Sequence, residues 1–236
     1  MPQQPISTST ISHNRPAPGD PALRINVGCC TNPTIGWLNF DNSPTVLLSK
    51  CPGLMRILLA LRLVTQQQSQ FAKVVREQGI KWSNAARNIP LPDNTVEVVY
   101  ASHVFEHLDP TREVIGFLSE ARRVLVSGGV LRLVVPDLRR RAQHYLETGN
   151  ADEFIASLNM AMGRTRGFLA ITRHLLVGFR DHCWMYDAPS LCRLLEGEGF
   201  DDARELQPGQ TTIREPGTLD LRERENDSVY VEARLK

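Results

Sequence analysis

Near the start of the chain, apolar residues recur with a period of two. Leu23, Ile25 and Val27 alternate with Arg24 and Asn26, which predicts a short strand that stops at Gly28. A second short run, Trp37 to Phe40, ends on Asp41. Thr95-Val-Glu-Val-Val-Tyr100 is β-branched and aromatic, the pattern of a buried central strand, and it follows a loop from Trp82 to Asn94 that closes on Pro90-Leu-Pro-Asp-Asn94. Pro110 to Val126 reads as a helix with Asp109 as its N-cap. Gly128-Gly129 breaks it, and Val130 to Val135 forms the next strand, stopped by Pro136. Helical segments are expected around 138–147 and 151–162, and again over Ala188 to Gly197, with Asp187 as cap and Leu191, Leu194 and Leu195 inward. Phe200 to Leu206 and Ser228 to Leu235 read as strands, the latter alternating Val229, Val231 and Ala233. Strands alternating with helices of this length predict an α/β fold on a doubly wound, mostly parallel sheet.

Three stretches stand outside that rhythm. Residues 1–20 are rich in Pro, Ser, Thr and Gln with almost no apolar periodicity, and read as a flexible arm before a single domain over 21–236. Within 44–80, Leu54, Ile57, Leu58, Leu61 and Val64 fall at helical spacing with Arg56 and Arg62 on other faces, an amphipathic helix for core or lid packing. Residues 138–186 form a long excursion between sheet elements, the usual place for a helical lid. No internal repeat is visible.

Composition narrows the class. The 236 residues are 42% hydrophobic and 22% charged, ordinary for a globular protein with a sizeable core. A net charge of +1 gives no general pull on nucleic acid or on a membrane surface. The five cysteines form no C-x-x-C pair and no zinc spacing, which fits a reducing compartment. No secretory signal is visible, and the longest apolar run, Ile57 to Leu61, is far short of the roughly 20 residues that span a bilayer. The expectation is a cytoplasmic protein with a small-molecule substrate, acting on neither nucleic acid nor membrane; its oligomeric state is not legible.

The first strand carries the candidate ligand site. In an open α/β sheet, ligands sit outside the carboxyl ends of the strands. Gly28 allows close backbone approach, and a carboxylate about a dozen residues later, Asp41, can accept both hydroxyls of a ribose. The third glycine of G-x-G-x-x-G is absent, so this is not the dinucleotide fingerprint.

Val27-Gly-Cys-Cys-Thr-Asn-Pro33 followed by Gly36-Trp-Leu-Asn-Phe-Asp41 resembles the first two motifs of class I S-adenosylmethionine (SAM) dependent methyltransferases, with Cys30 where their second glycine stands. Ile89 to Leu108 is similar to the middle motifs of that family, and Arg122 to Leu133 to its helix, Gly-Gly turn and fifth strand. The resemblance covers about residues 23–136 and resumes more weakly over 182–236. It implies a Rossmann-like seven-stranded fold and SAM as cofactor. It also implies a binding set of Gly28, Cys29, Cys30, Asn32 and Asp41, with Asn84 and Ala85 at the adenine and Ala101, Ser102 and His103 beside the sulfonium.

Two further clusters carry chemistry. His103, Glu106 and His107 share a helical face at i, i+3 and i+4, which invites a metal, but Val104, Phe105 and Leu108 suit a junction packed on the core. We expect no metal there, a role beside the cofactor or as general base for His103, and structural roles for Glu106 and His107. In Asp181-His-Cys-Trp-Met-Tyr-Asp187, His182 and Tyr186 are candidate catalytic groups; Trp184 and Tyr186 could wall a pocket, and Cys183 has no activating partner. Arg139-Arg-Arg141 reads as a solvated helix face rather than an anion site, and Arg164, Arg166 and Arg173 lie in the expected lid. The reading favoured is methyl transfer from SAM to a small metabolite or natural-product intermediate. Two rivals keep the fold: a SAM-cyclising enzyme that forms azetidine-2-carboxylate and methylthioadenosine, and a non-catalytic partner subunit.

Overall fold

The computed structural model describes residues 23–160 and 181–236. The expected arm and Arg164, Arg166 and Arg173 lie outside them. Strands β1 (Leu23–Val27), β2 (Leu38–Asp41), β3 (Lys81–Trp82), β4 (Val96–Ser102), β5 (Leu125–Pro136), β6 (Phe200–Leu206) and β7 (Ser228–Leu235) form one seven-stranded sheet in the order β3-β2-β1-β4-β5-β7-β6. The β1–β2, β1–β4, β2–β3 and β4–β5 pairs are parallel, whereas β7 runs antiparallel to both β5 and β6. The sheet is therefore mixed. No helical crossover separates β6 from β7, so β7 returns antiparallel between β6 and β5. The strand order reverses between β1 and β4, and a crevice opens outside their carboxyl ends.

The middle strands are buried on both faces, as parallel strands usually are. Val99, Ala101, Leu131 and Leu133 join the main core, with Phe117 and Leu118 of one helix and Leu191 and Leu195 of another. Val98, Tyr100, Val130 and Val134 face the opposite way, onto Ile213 and Leu219 from the segment between β6 and β7. A fully buried charged pair is built into this sheet. Arg132 and Glu232 are register partners on β5 and β7, fully buried, with Arg132 Nη1 2.6 Å from Glu232 Oε1. Thr211 Oγ1, Thr212 N and Thr212 Oγ1 donate to the same carboxylate. Burial opposes its ionisation, and these bonds more than offset burial, holding the carboxyl below its ordinary value.

The helices depart from expectation in instructive places. Residues 44–80 form three helices, α1 (Pro44–Leu48), α2 (Pro52–Ala60) and α3 (Gln66–Gln78). On α2 the inward face is Met55 with Leu58 and Leu59, packed on Ala72 of α3, while Leu54 and Ile57, and Leu61 just beyond the helix, are exposed. Of the predicted face, Leu58 and Val64 thus pack inward, whereas Leu54, Ile57 and Leu61 are turned outward. Helix α4 (Glu113–Val124) begins later than Pro110 because Asp109 caps a preceding turn, its Oδ1 accepting from Thr111 N and Arg112 N. Strand β5 begins at Leu125, so Gly128-Gly129 lies within it rather than before it. The register slips there, with Val96 opposite Leu125 and Val98 opposite Val130. Gly128 has φ +75°, and a Cβ on Gly129 would sit 2.8 Å from Val126 O.

In the 138–186 excursion, α5 (Leu138–Thr148) and α6 (Ala151–Ser157) form as predicted, α6 ending earlier. Arg140 and Arg141 tie α5 down, donating to Glu225 O and to the Asp227 carboxylate. Helix α7 (Ala188–Gly197) carries a capping box in which Asp187 accepts from Ser190 N. No helix among the described residues is long and apolar enough to cross a membrane.

Candidate active site

A cavity of about 700 Å³ opens at the carboxyl ends of β1, β2 and β4, within the range of small-molecule sites (roughly 300–1,000 Å³). At one end the chain leaving β1 turns back on β2, with Gly28 N and Cys29 N both donating to Phe40 O. Gly28 has φ +69°, and a Cβ there would lie 2.1 Å from Val104 Cγ2. The glycine thus lets Val104 close against the turn, and no other residue fits. Cys30 holds the left-handed φ of 45° that a glycine in its place would adopt freely.

Asp41, at the tip of β2, is buried. Its Oδ2 accepts from Cys30 N at 3.0 Å and its Oδ1 from Ser43 N at 2.8 Å. Burial pushes its carboxyl up and these two backbone bonds pull it back, leaving it above its ordinary value. A carboxylate offers about four lone-pair sites, so two remain for the hydroxyls of a ribose. The Cys29 thiol, buried beside Asp41, is pushed far up by burial and is no nucleophile.

The other end is built by two segments that meet. After Ser102 the backbone bends at His103, with φ 52°, its N–H donating to Val134 O. A single 3₁₀ turn, Phe105–His107, follows. Phe105 anchors that turn in the core against Phe117 and Tyr186. Glu106 O accepts from Cys183 N and Trp184 N, which pins the 181–187 segment to the turn. His182 is thereby set edge-on to His107, ring centroids 5.2 Å apart. Burial holds the His182 imidazole below its ordinary pKa, which favours the neutral ring.

Glu106 lies between them at 1% exposure. His103 Nδ1 is 3.3 Å and His107 Nε2 3.9 Å from its Oε1, yet neither carboxylate oxygen has a hydrogen-bond partner among the described residues. His103 Nε2 meets Ser228 Oγ at 2.9 Å and His107 Nδ1 meets Asp181 O at 3.0 Å.

Of the residues expected at the site, Gly28, Cys29, Cys30, Asn32, Asp41, Ser102, His103 and His182 line the cavity. Asn84, Ala85, Ala101 and Tyr186 do not. Asn84 Oδ1 accepts from Ala86 N in its own turn, and Ala85 and Ala101 pack in the main core. Tyr186 is turned inward by its contact with Phe105, and burial pushes its hydroxyl up to about 12. Trp184 is half exposed rather than on the cavity wall. Sequence reasoning missed Asn26, Tyr100 and Glu223. Asn26 Nδ2 donates to Thr34 Oγ1 and Asn32 O, bracing the turn after β1. Glu223 accepts from Tyr100 Oη at 2.8 Å and from Asn32 Nδ2 at 3.4 Å. It also missed α3, whose Gln67 and Phe71 line the wall, although its capping box, Thr65-x-x-Gln68, was a usable signal.

Residues 25–133 match the family model described as a methyltransferase domain. The match takes in just under half of the chain. The cofactor that goes with it is SAM, and the match spans Gly28, Asp41 and the Glu106 turn alike. No curated protein matches the chain. Among solved structures, it is similar to a possible histamine N-methyltransferase from Thermotoga maritima (15% identity, 92% of this chain and 83% of that one, TM-score 0.47). It is also similar to the PH0226 protein from Pyrococcus horikoshii (16%, 91% and 82%, 0.48) and to geranyl diphosphate C-methyltransferase from Streptomyces coelicolor (11%, 92% and 73%, 0.44).

Proposed function

We propose that this protein is a cytoplasmic SAM-dependent methyltransferase acting on a small metabolite or natural-product intermediate. The observation that carries the reading is Asp41. It is a buried carboxylate with two backbone donors and two free lone-pair sites, beside the Gly28 turn and inside the methyltransferase match. Asp41 and the Gly28–Cys30 turn would hold the nucleoside, and Ser102 and His103 would face the reacting end. SAM, when bound, supplies an electrophilic methyl group, and such transfer needs chiefly in-line positioning and exclusion of water.

The acceptor then enters at the end lined by His103, His107 and His182. His103 and His182 are the groups there that can take a proton from an acceptor that arrives protonated. Tyr186, buried behind Phe105, has no such access. A near-neutral chain supports a small acceptor over nucleic acid.

The test is incubation of the purified protein with SAM, alone and with pools of candidate acceptors, read by mass spectrometry of the nucleosides. S-adenosylhomocysteine formed together with a methylated acceptor is the expected result. Methylthioadenosine with a new four-carbon amino acid from SAM alone would overturn methyl transfer in favour of cyclisation. Failure to bind SAM at all would leave the domain as a non-catalytic subunit.

A further inference from the structure

At the acceptor end, Glu106, His107 and His182 each offer a ligand atom, and these atoms lie within 4.8 Å of one another. Three features separate the cluster from an incidental meeting of polar side chains. First, Glu106 is buried to 1% and neither of its oxygens makes a hydrogen bond among the described residues. An unsatisfied buried carboxylate is costly, and native structures rarely keep one without a use. Second, both imidazoles are oriented from behind. Asp181 O, at 3.0 Å, can accept only from His107 Nδ1–H, which fixes the tautomer and leaves Nε2 as a lone pair facing Glu106. Met185 Sδ, 3.2 Å from His182 Nδ1, occupies the same nitrogen on the second ring. Third, the three residues line the cavity, so an ion there would have access to solvent and substrate.

We infer that Glu106, His107 and His182 form a binding site for a divalent first-row transition ion, zinc in the first instance, at the acceptor end of the cavity. Two nitrogen ligands and one carboxylate oxygen suit zinc, cobalt or iron rather than magnesium. Three protein ligands leave a coordination position open, the arrangement of catalytic rather than structural sites. Bonds of about 2.0–2.2 Å would bring the ligand atoms to roughly 3.4 Å apart. The cluster therefore contracts by about an ångström on binding, within reach of side-chain rotation. The open position points to an acceptor with an oxygen donor, such as a hydroxyl or carboxylate, which the ion would orient and make more acidic. The inference deepens the methyltransferase reading by naming the acceptor's chemistry, but the ion site does not depend on SAM. It gives His182 the role of a ligand and leaves His103 as the nearby proton acceptor.

The test uses the full chain, stripped with a chelator and titrated with Co²⁺ alone. Visible d–d absorption that saturates at one ion per chain and is displaced by Zn²⁺ is expected. His182→Ala should weaken binding by more than 100-fold. Glu106→Gln, close in shape and therefore spared a folding defect, should weaken it by at least ten-fold. Absence of the bands, or bands unchanged in both variants, would overturn the site; the latter would place the ion on the cysteines or elsewhere. SAM binding is measured on the same preparations. Protein that binds SAM but not cobalt sinks the ion site and spares the cofactor reading, whereas cobalt without SAM does the reverse.

Discussion

Glu106 and Glu232 are both buried to 1%, and the chain treats them in opposite ways. Glu232 sits in the middle of the sheet with a guanidinium, two hydroxyls and a backbone N–H on its two oxygens. Glu106 sits at the cavity wall with two imidazoles at 3.3 and 3.9 Å and no hydrogen bond on either oxygen among the described residues. The cost of burying a carboxylate is similar in the two places. In the sheet the fold offsets it internally; at the cavity it is left for a ligand to offset. A satisfied buried charge thus marks architecture, and an unsatisfied one marks a place where something binds.

The comparison breaks most visibly at Arg132. Arg132→Met should cost about 3–5 kcal/mol, because it strands Glu232 without its cation; urea unfolding monitored by circular dichroism measures it. A smaller loss, about 1–3 kcal/mol, is expected for Thr212→Val, which removes one of the hydroxyl donors to Glu232.

The pH dependence follows from the depressed Glu232 carboxyl. Its stabilisation is fully present above the unfolded value of about 4.5 and is lost as pH falls through the lower folded value. Glu232→Gln should flatten that part of the acid limb in a series of thermal melts, and an unchanged limb would place the acid sensitivity elsewhere. The smallest effect is expected at Glu106. In metal-free protein, Glu106→Gln should change stability by less than about 1 kcal/mol or raise it, since no hydrogen bond among the described residues is lost. A loss as large as that of Arg132→Met would show that Glu106 is structural after all.

The chain's pattern made the sheet legible. Alternation over 23–27 and 228–235 and the β-branched run at 95–100 all became strands, because β-branched and aromatic residues fit a pleated sheet whose faces are buried. It misled in part at α2: Leu58 and Val64 pack inward as expected, but Leu54, Ile57 and Leu61, exposed, are as apolar as the inward Met55 and Leu59. Periodicity alone cannot choose between two apolar faces of one helix; Ala72 on α3 decided. At the site, Gly28 and Asp41 were readable because a backbone turn and a strand tip are local features. The pairing of His107 with His182 was not, since those residues are brought together only by the backbone bonds from Cys183 and Trp184 to Glu106 O. The i, i+3, i+4 spacing of His103, Glu106 and His107 implied one helical face, whereas the chain there makes a single 3₁₀ turn and takes its third donor from elsewhere. Glu223 was invisible for the same reason, reaching the cavity from the segment before β7.

The account rests on SAM lying against Asp41, and calorimetric titration of SAM into the wild-type chain and Asp41→Ala tests it most directly. Two hydrogen bonds to a carboxylate, at about 1.5–3 kcal/mol each, predict saturable binding at one site, weakened by at least 100-fold in the variant. Equal affinity in the two proteins would contradict it.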